Sequence, residues 1–471
     1  MMSHLQFLNL NMDAANCFET RYPKTEVSAA NGSVSPPWIK KELLELWLRT
    51  HYGQVTVTDC EVQPATVKGD NYLSVLHRLT VRTQCGQSHS LIVKCRIEEG
   101  KTASMVEDSK VFRKEQEIYT ATLPRMSALL NKALPGKLSG GLCTGTSEPL
   151  SAKCIYACQS FLVFEDLSAA GFRMLDRFQG LDLEHCVLVM RNLARFHAAS
   201  VVLHQHDPDS FKEYEVNFFL LLDKYVINVD LGFVNTLVEE LETWSEHWRQ
   251  YITKLQLIKE HGWERIDMVT RRTETGLNVL AHGDLWINNI MFNDQANSMR
   301  LVDFQLANHT SPGIDLHLFI CSSATLEVQM YHTNTLLQNY NRSCLEFVLL
   351  SLYTCLKEDV GRIASSVSCL QEYHTALCDT LTALGYTQTM ITLEELHEEF
   401  DRTCFYGLWV LIGPAACMLS KPDCGLELDD LLEKGKTPGR SMYSDTYRET
   451  VKIMLPVLDR QGAFGDIEPT N

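Results

Sequence analysis

Asn278-Val279-Leu280-Ala281-His282-Gly283-Asp284-Leu285-Trp286-Ile287-Asn288-Asn289-Ile290-Met291-Phe292 is a short apolar run, a polar loop and a second apolar run. Asn293, Asp294 and Asn297 follow as turn formers, and Met299-Arg300-Leu301-Val302 then leads into Asp303-Phe304. Apolar runs of strand length bounded by Asn, Asp and Gly predict a loop followed by a β-hairpin. The loop and the end of the hairpin present three oxygen-bearing side chains: Asp284, Asn289 and Asp303.

Asp, Asn and Gly also serve turns with no chemistry attached. The strand expected on each side and the position of Asp303 argue for more than a turn. Phosphoryl transfer asks a protein mainly for positioning and charge neutralisation. One carboxylate must orient the attacking hydroxyl and accept its proton, a role for Asp284. Mg²⁺ is a hard cation that takes few protein oxygen ligands beside phosphates and water, a role for Asn289 and Asp303. The spacing of Asp284 and Asn289 matches the Asp-x-x-x-x-Asn of kinase catalytic loops, and Asp303-Phe304 matches the start of Asp-Phe-Gly.

His282-Gly283-Asp284-Leu285-Trp286 through Asn289, together with Val302-Asp303-Phe304-Gln305, resembles the ecdysteroid kinase-like family. That family is similar to aminoglycoside phosphotransferases and choline kinases, within the wider protein-kinase-like fold. The resemblance spans roughly residues 36 to 464. It implies an α+β, bilobal fold, with a small β-rich N-lobe over 36–166 and a larger, mostly helical C-lobe over 167–464. The N-lobe would bind nucleotide, and the C-lobe would hold the catalytic and acceptor-binding residues. ATP and Mg²⁺ are the implied cofactors, and a small-molecule hydroxyl compound is the implied acceptor. Residues 1–35 show no sustained period and read as a flexible extension, and 465–471 read as a loose tail.

Composition narrows the classes. A net charge of 42 − 59 = −17, with the acidic residues dispersed, argues against a nucleic-acid partner, which needs a basic footprint. An ATP site in such a protein must build positive potential locally, from Lys94 and bound Mg²⁺. The 16 cysteines include no Cys-x-x-Cys pair, and they read as reduced core thiols. Cys154 and Cys158 stand closest, at helical spacing. The N-terminus lacks the pattern of a signal peptide, and the apolar run from Phe405 to Leu419 is too short to span a bilayer. A cytoplasmic monomer without a membrane span is expected.

Along the chain, Trp38 to Leu48 reads as a helix burying Ile39, Leu43, Leu46 and Trp47. A first strand is expected from Val55 to Pro64, and a second carries Leu79 and Val81. Between them, Gly69-Asp70-Asn71-Tyr72-Leu73-Ser74 reads as a hairpin turn, and turn N–H groups can also approach phosphates. The Gly-x-Gly-x-x-Gly of protein kinases is absent, but the segment resembles the family's phosphate-loop pattern, which implicates Gly69, Asn71 and Ser74. Leu91-Ile92-Val93-Lys94 is a third strand, whose lysine is either a solvated end or a phosphate ligand.

The partner of Lys94 discriminates between these readings. Val111 to Tyr119 is helical, with Phe112, Glu115 and Tyr119 on one face. A carboxylate on an apolar face calls for a cationic partner, so a Lys94–Glu115 ion pair is expected to aim the ammonium at the nucleotide phosphates. Glu117 is the alternative, and the family's Phe-x-x-Glu-x-x-x-Tyr pattern agrees with Glu115. Phe161 to Phe164 is a buried strand opening into Glu165-Asp166-Leu167. The resemblance makes Glu165 and Leu167 the adenine-binding hinge, while the two carboxylates read equally well as local caps.

Leu183 to Leu203 reads as a helix with Cys186, Val189, Leu193, Phe196 and Ser200 on its core side. His197 matches a family motif and reads on its own as a core hydrogen-bonder. Phe218 to Lys259 is a helical insertion whose aromatics are read as core, and the natural place for acceptor specificity. Asp315 is expected to cap the next helix or to brace the catalytic loop. Gly407, Pro414 and Pro438 punctuate the helical remainder, and Ser444 caps a last helix that Pro456 should kink or end.

The leading reading is a small-molecule kinase acting on an apolar alcohol such as an ecdysteroid or a xenobiotic, in hormone metabolism or detoxification. Alternatives are a nucleotide-binding scaffold without catalysis, and a kinase for a cationic acceptor such as an amino alcohol. Gly283 replaces the arginine of the protein-kinase His-Arg-Asp motif, and no long regulated segment follows Gln305, so a protein kinase is disfavoured. A metal-dependent hydrolase built on His282 and Asp284 lacks further ligands at metal-binding spacing.

Overall fold

A computed structural model describes residues 39–65, 73–134, 148–215, 232–274, 276–333, 368–421 and 439–465. Gly69, Asn71, the extension over 1–35, Phe218, Phe219, Tyr225, Pro438 and residues 466–471 lie outside the described residues. The chain divides into two compact units: Met1–Ile97 with Lys153–Ala170, and Glu98–Ala152 with Gly171–Asn471.

Alternating apolar residues build the first unit. Its helix α1 (Lys41–Tyr52) and strands β1 (Val57–Pro64), β2 (Ser74–Thr83), β3 (Ser88–Arg96), β4 (Cys154–Ala157) and β5 (Phe161–Glu165) form one helix on one sheet. Sheet order is β1-β2-β3-β5-β4, with every pair antiparallel. Leu79, Val81, Leu91, Val93 and Val163 bury one face against Trp47 and Leu48, and Trp47 meets Phe161 edge-on at 5.5 Å. Helix α1 extends past the expected Leu48, until Gly53 stops it in the left-handed region at φ 76°. Its buried face is Leu43, Leu44, Trp47 and Leu48, with Ile39 and Leu46 only half-buried. Cys154 lies in strand β4, so the helical spacing of Cys154 and Cys158 is incidental: pairing with β5 overrides it. The described cysteines are free thiols.

The second unit is mostly helical. It begins with α2 (Gly100–Ser109) and α3 (Val111–Glu117), and a π turn over Ile118–Thr122 leads from α3 into α4 (Leu123–Ala133). Its central helix, α5 (Leu183–His206), starts at Asp182, whose carboxylate accepts the His185 N–H at 3.0 Å. Cys186, Val189, Leu193, Phe196 and Ser200 are all buried, as the apolar period requires. By length and composition α5 could cross a bilayer, but 78% of its most apolar stretch is buried inside the protein.

The described part of the insertion after α5 is helical, as expected. Residues 232–241 are helical, a turn intervenes, and α6 (Arg249–Thr270) follows. Strands β6 (Val279–Ala281), β7 (Ile290–Asn293), β8 (Ser298–Leu301) and β9 (Asn308–Thr310) carry the loop and the expected hairpin, with β7 paired to β8 and β6 to β9. Helices α7 (Gly313–Ser323), α8 (Cys369–Ala383), α9 (Leu393–Arg402), α10 (Cys404–Ile412) and α11 (Asp445–Arg460) complete the core.

Two punctuation residues lie inside helices. Gly407 sits inside α10 because a Cβ there would lie 2.6 Å from His317 Nδ1 and 2.9 Å from Leu458 Cδ2. The glycine thus permits close helix packing. Ser444 caps α11 as expected, accepting the Tyr447 N–H at 3.1 Å, but the helix runs through Pro456 to Arg460. Burial of Val457 and Leu458 holds the turn that the missing N–H weakens.

Candidate active site

Strand β6 is buried along its length and delivers the loop into the core of the second unit. Gly283 then takes φ 77°, where a side chain is strained and a Cβ would overlap the Leu306 carbonyl. The carboxylate of Asp315, from α7, accepts the His282 N–H at 2.6 Å and the Gly283 N–H at 2.8 Å. The His282 ring approaches the Val302 carbonyl with Nε2 at 3.0 Å, tying the loop to the far end of the hairpin. Of the two expected roles for Asp315, the structure shows the brace.

Beyond this anchor the loop exposes Asp284, half-buried between buried neighbours Gly283 and Leu285. A short 3₁₀ turn over Ile287–Asn289 brings Asn289 back, and its Nδ2 donates to the Asp284 carbonyl and to Asp284 Oδ2, each at 2.8 Å. The amide nitrogen is thereby committed to Asp284, which assigns Oδ1 as the atom available for cation ligation. The Val302 N–H donates to the Asn289 carbonyl at 3.0 Å, which brings the backbone just before Asp303 against Asn289. Asp303 is itself half-buried and holds φ 65°, uncommon for a residue with a Cβ. The second unit therefore brings Asp284, Asn289 and Asp303 together. Hard oxygen donors of this kind fit Mg²⁺.

Glu115 enters the same region from α3. Its side chain is buried, and Oε1 accepts the Phe304 N–H at 3.2 Å. Phe112 and Tyr119 share the buried face and Glu117 is exposed, matching the expected orientation. Tyr119 meets Phe304 edge-on at 5.4 Å, and Phe304 also lies against His282 at 4.6 Å. The segment Asp303-Phe304 is thus held by the helix as well as by the hairpin.

In the first unit, Lys94 lies within β3 rather than at its end, 2% exposed, in register with Leu76 and Leu162. A central strand explains the burial, and a solvated strand end is ruled out. Ser74 is the first residue of β2 and is buried. Leu167 is buried, and Glu165 ends β5 with Oε1 accepting the Lys153 N–H at 2.8 Å. Asp166 is a brace: its carboxylate receives Arg78 Nε at 2.9 Å, Ser90 Oγ at 2.7 Å and the Ser168 N–H at 3.0 Å.

Two residues near the loop have no local sequence signal. Tyr373 of α8 places its hydroxyl 2.7 Å from His197 Nδ1, and His197 Nε2 lies 3.0 Å from Asp315 Oδ2. All three side chains are buried. Tyr406 of α10 is also buried; burial first, then the charges of Asp315 and Asp284, push its phenol well above the usual range. Both tyrosines lie far from the loop in sequence, and only tertiary packing reveals them.

An α+β chain with this loop, hairpin and donor set has the form of a kinase-like small-molecule phosphotransferase. A family model for the ecdysteroid kinase-like family matches residues 68–350, more than half of the chain. The chain belongs to the ecdysteroid kinase-like family. No curated protein matches the sequence. Among solved structures it is similar to ethanolamine kinase of Plasmodium vivax, at 12% identity and TM-score 0.34, over 85% of this chain and 84% of that one. It is also similar to macrolide 2′-phosphotransferase of Brachybacterium faecium, at 10% identity and TM-score 0.33, over 80% of this chain and 98% of that one.

Proposed function

We propose that this protein is an ATP- and Mg²⁺-dependent kinase that transfers the γ-phosphate to a hydroxyl of an apolar alcohol, with an ecdysteroid or similar steroid as the leading acceptor. The observation that carries the proposal is the Asn289 amide gripping Asp284 beside Asp303. Asp284 orients the acceptor hydroxyl and takes its proton as the new O–P bond forms and the bond from the γ-phosphorus to the bridging oxygen breaks, with ADP leaving. Asn289 holds that carboxylate in place with one amide atom and offers the other to the cation. Asp303 supplies the charged ligand. Mg²⁺ held by Asn289 and Asp303 would neutralise developing charge on the phosphates. Lys94 is assigned a phosphate contact, with Glu115 as its expected partner. Gly69, Asn71 and Ser74 are assigned the phosphate loop, and Glu165 and Leu167 the adenine contacts.

Family membership and charge support the acceptor class. A net charge of −17 gives no general attraction for anionic acceptors. Cationic acceptors would suit that charge and are the physical competitor. Action in the cytoplasm, on a hormone or a xenobiotic, completes the reading. The test is a screen of hydroxylated steroids, terpenoids, choline and aminoglycosides with ATP, read by mass spectrometry. ATP-dependent addition of one phosphate to a steroid or terpenoid alcohol is expected. Phosphorylation of choline or aminoglycosides alone would overturn the acceptor assignment.

A further inference from the structure

We propose that Tyr373 is a positioning residue for the catalytic loop, acting through the orientation of the His197 ring. Its link to catalysis rests on the kinase reading above; its action on the loop does not.

Hydrogen-bond chemistry orders the chain of contacts around a neutral His197. The Asp315 carboxylate can only accept, and it faces three nitrogens: the His282 N–H, the Gly283 N–H and His197 Nε2. His197 must therefore carry its proton on Nε2. In a neutral imidazole the other nitrogen is then a bare acceptor. The Tyr373 hydroxyl, 2.7 Å from Nδ1, donates to it. The order is Tyr373 O–H to His197 Nδ1, His197 Nε2–H to Asp315, and Asp315 to the two loop N–H groups.

Burial makes this order matter. Tyr373, His197 and Asp315 are each 0% exposed, so solvent offers no replacement partner. Without the phenol, Nδ1 is a buried acceptor lacking a donor. The proton stays on Nε2, facing Asp315, but the ring loses the contact that fixes its plane. Its turning misaligns one donor to the carboxylate, and the hold of Asp315 on His282 and Gly283 loosens. Asp284 follows directly in the chain. The phenol thus acts on a residue it does not touch. Tyr373 also lies beyond residues 68–350, so this control comes from a part of the chain that the family match does not reach.

The test uses the full-length protein with Tyr373→Phe, which keeps the ring and removes only the hydroxyl. Hydrogen–deuterium exchange of the peptide containing His282 and Gly283 should quicken about tenfold, the size expected when a buried polar group loses its partner. Exchange in α6 and α11 should stay at the parent rate. With an acceptor in hand, kcat should fall about tenfold while the KM for nucleotide holds. His197→Gln provides the second arm, because an amide donates to Asp315 with no imidazole for the phenol to orient. In that background Tyr373→Phe should change exchange by less than about twofold, since coupled residues are non-additive. Parent-like loop exchange in Tyr373→Phe overturns the proposal. So does a uniform rise across the second unit, or an undiminished effect in the His197→Gln background. Local quickening in a protein that phosphorylates no acceptor would instead sink the kinase reading and leave the role of Tyr373 standing.

Discussion

Replacing Gly283 by alanine tests the loop at its tightest point. The residue holds φ 77°, where a Cβ costs roughly 1–2 kcal/mol. That Cβ would also lie 2.7 Å from the Leu306 carbonyl carbon and closer still to its oxygen, and both are backbone atoms that cannot rotate away. Overpacking of this kind costs about 1–3 kcal/mol. Relief requires the loop to move, and movement strains the bonds from His282 and Gly283 to Asp315. The total expected loss is about 2–5 kcal/mol, which should lower the unfolding midpoint of the second unit by several degrees. Thermal denaturation followed by circular dichroism measures the midpoint, and turnover measures the displacement of Asp284. Gly283→Ala with the parent's midpoint and turnover would show that the loop does not adopt this backbone.

Three further outcomes follow from the site and the core. Asp284→Asn keeps the shape that Asn289 grips but cannot take a proton, so kcat should fall about 10²–10⁴-fold with ATP affinity intact; parent-rate turnover would remove Asp284 as the base. Asp303→Ala should weaken nucleotide binding in Mg²⁺ but not in its absence, and calorimetric titrations that agree in both conditions would refute the metal role. Burial holds His317 down at about 4 from 6.5, despite its hydrogen bond to the Phe400 carbonyl. The folded pKa lies below the unfolded one, so stability present above pH 6.5 is lost as pH falls toward 4, by about 3 kcal/mol. His317→Gln should flatten that slope in urea titrations, and an unchanged slope would reject the assignment.

The sequence disclosed what short-range pattern encodes. The loop and hairpin were legible because Asp284, Asn289 and Asp303 sit close in the chain, between apolar runs that can only be buried strands. Glu115 was legible because a carboxylate on an apolar helical face demands an explanation. Strand β4 escaped because four residues, three of them half-buried, carry no period of their own until β5 pairs with them. Of the two outcomes expected at Pro456, a helix end yields to the burial of Val457 and Leu458. Tyr373 and Tyr406 look like ordinary core aromatics in amphipathic helices, and nothing local links them to a loop far away. Asp315 was legible as a polar residue at a helix start, but which backbone groups it holds is a tertiary fact.

The π turn at Ile118–Thr122 has a consequence for comparing homologous chains. Its ladder closes over five residues instead of four. Ahead of it Glu115 accepts the Phe304 N–H, and beyond it Met126 and Leu130 are fully buried. Deleting one residue from the turn would let an unbroken α-helix form with both halves close to their present faces, because a single π turn absorbs one extra residue. Glu115 would keep Phe304, and Met126 and Leu130 would stay buried. The same deletion in the α-helical turns on either side would rotate one half against the other by about 100°. A one-residue gap in a homologous chain therefore belongs at Ile118–Thr122 and not in the turns that flank it.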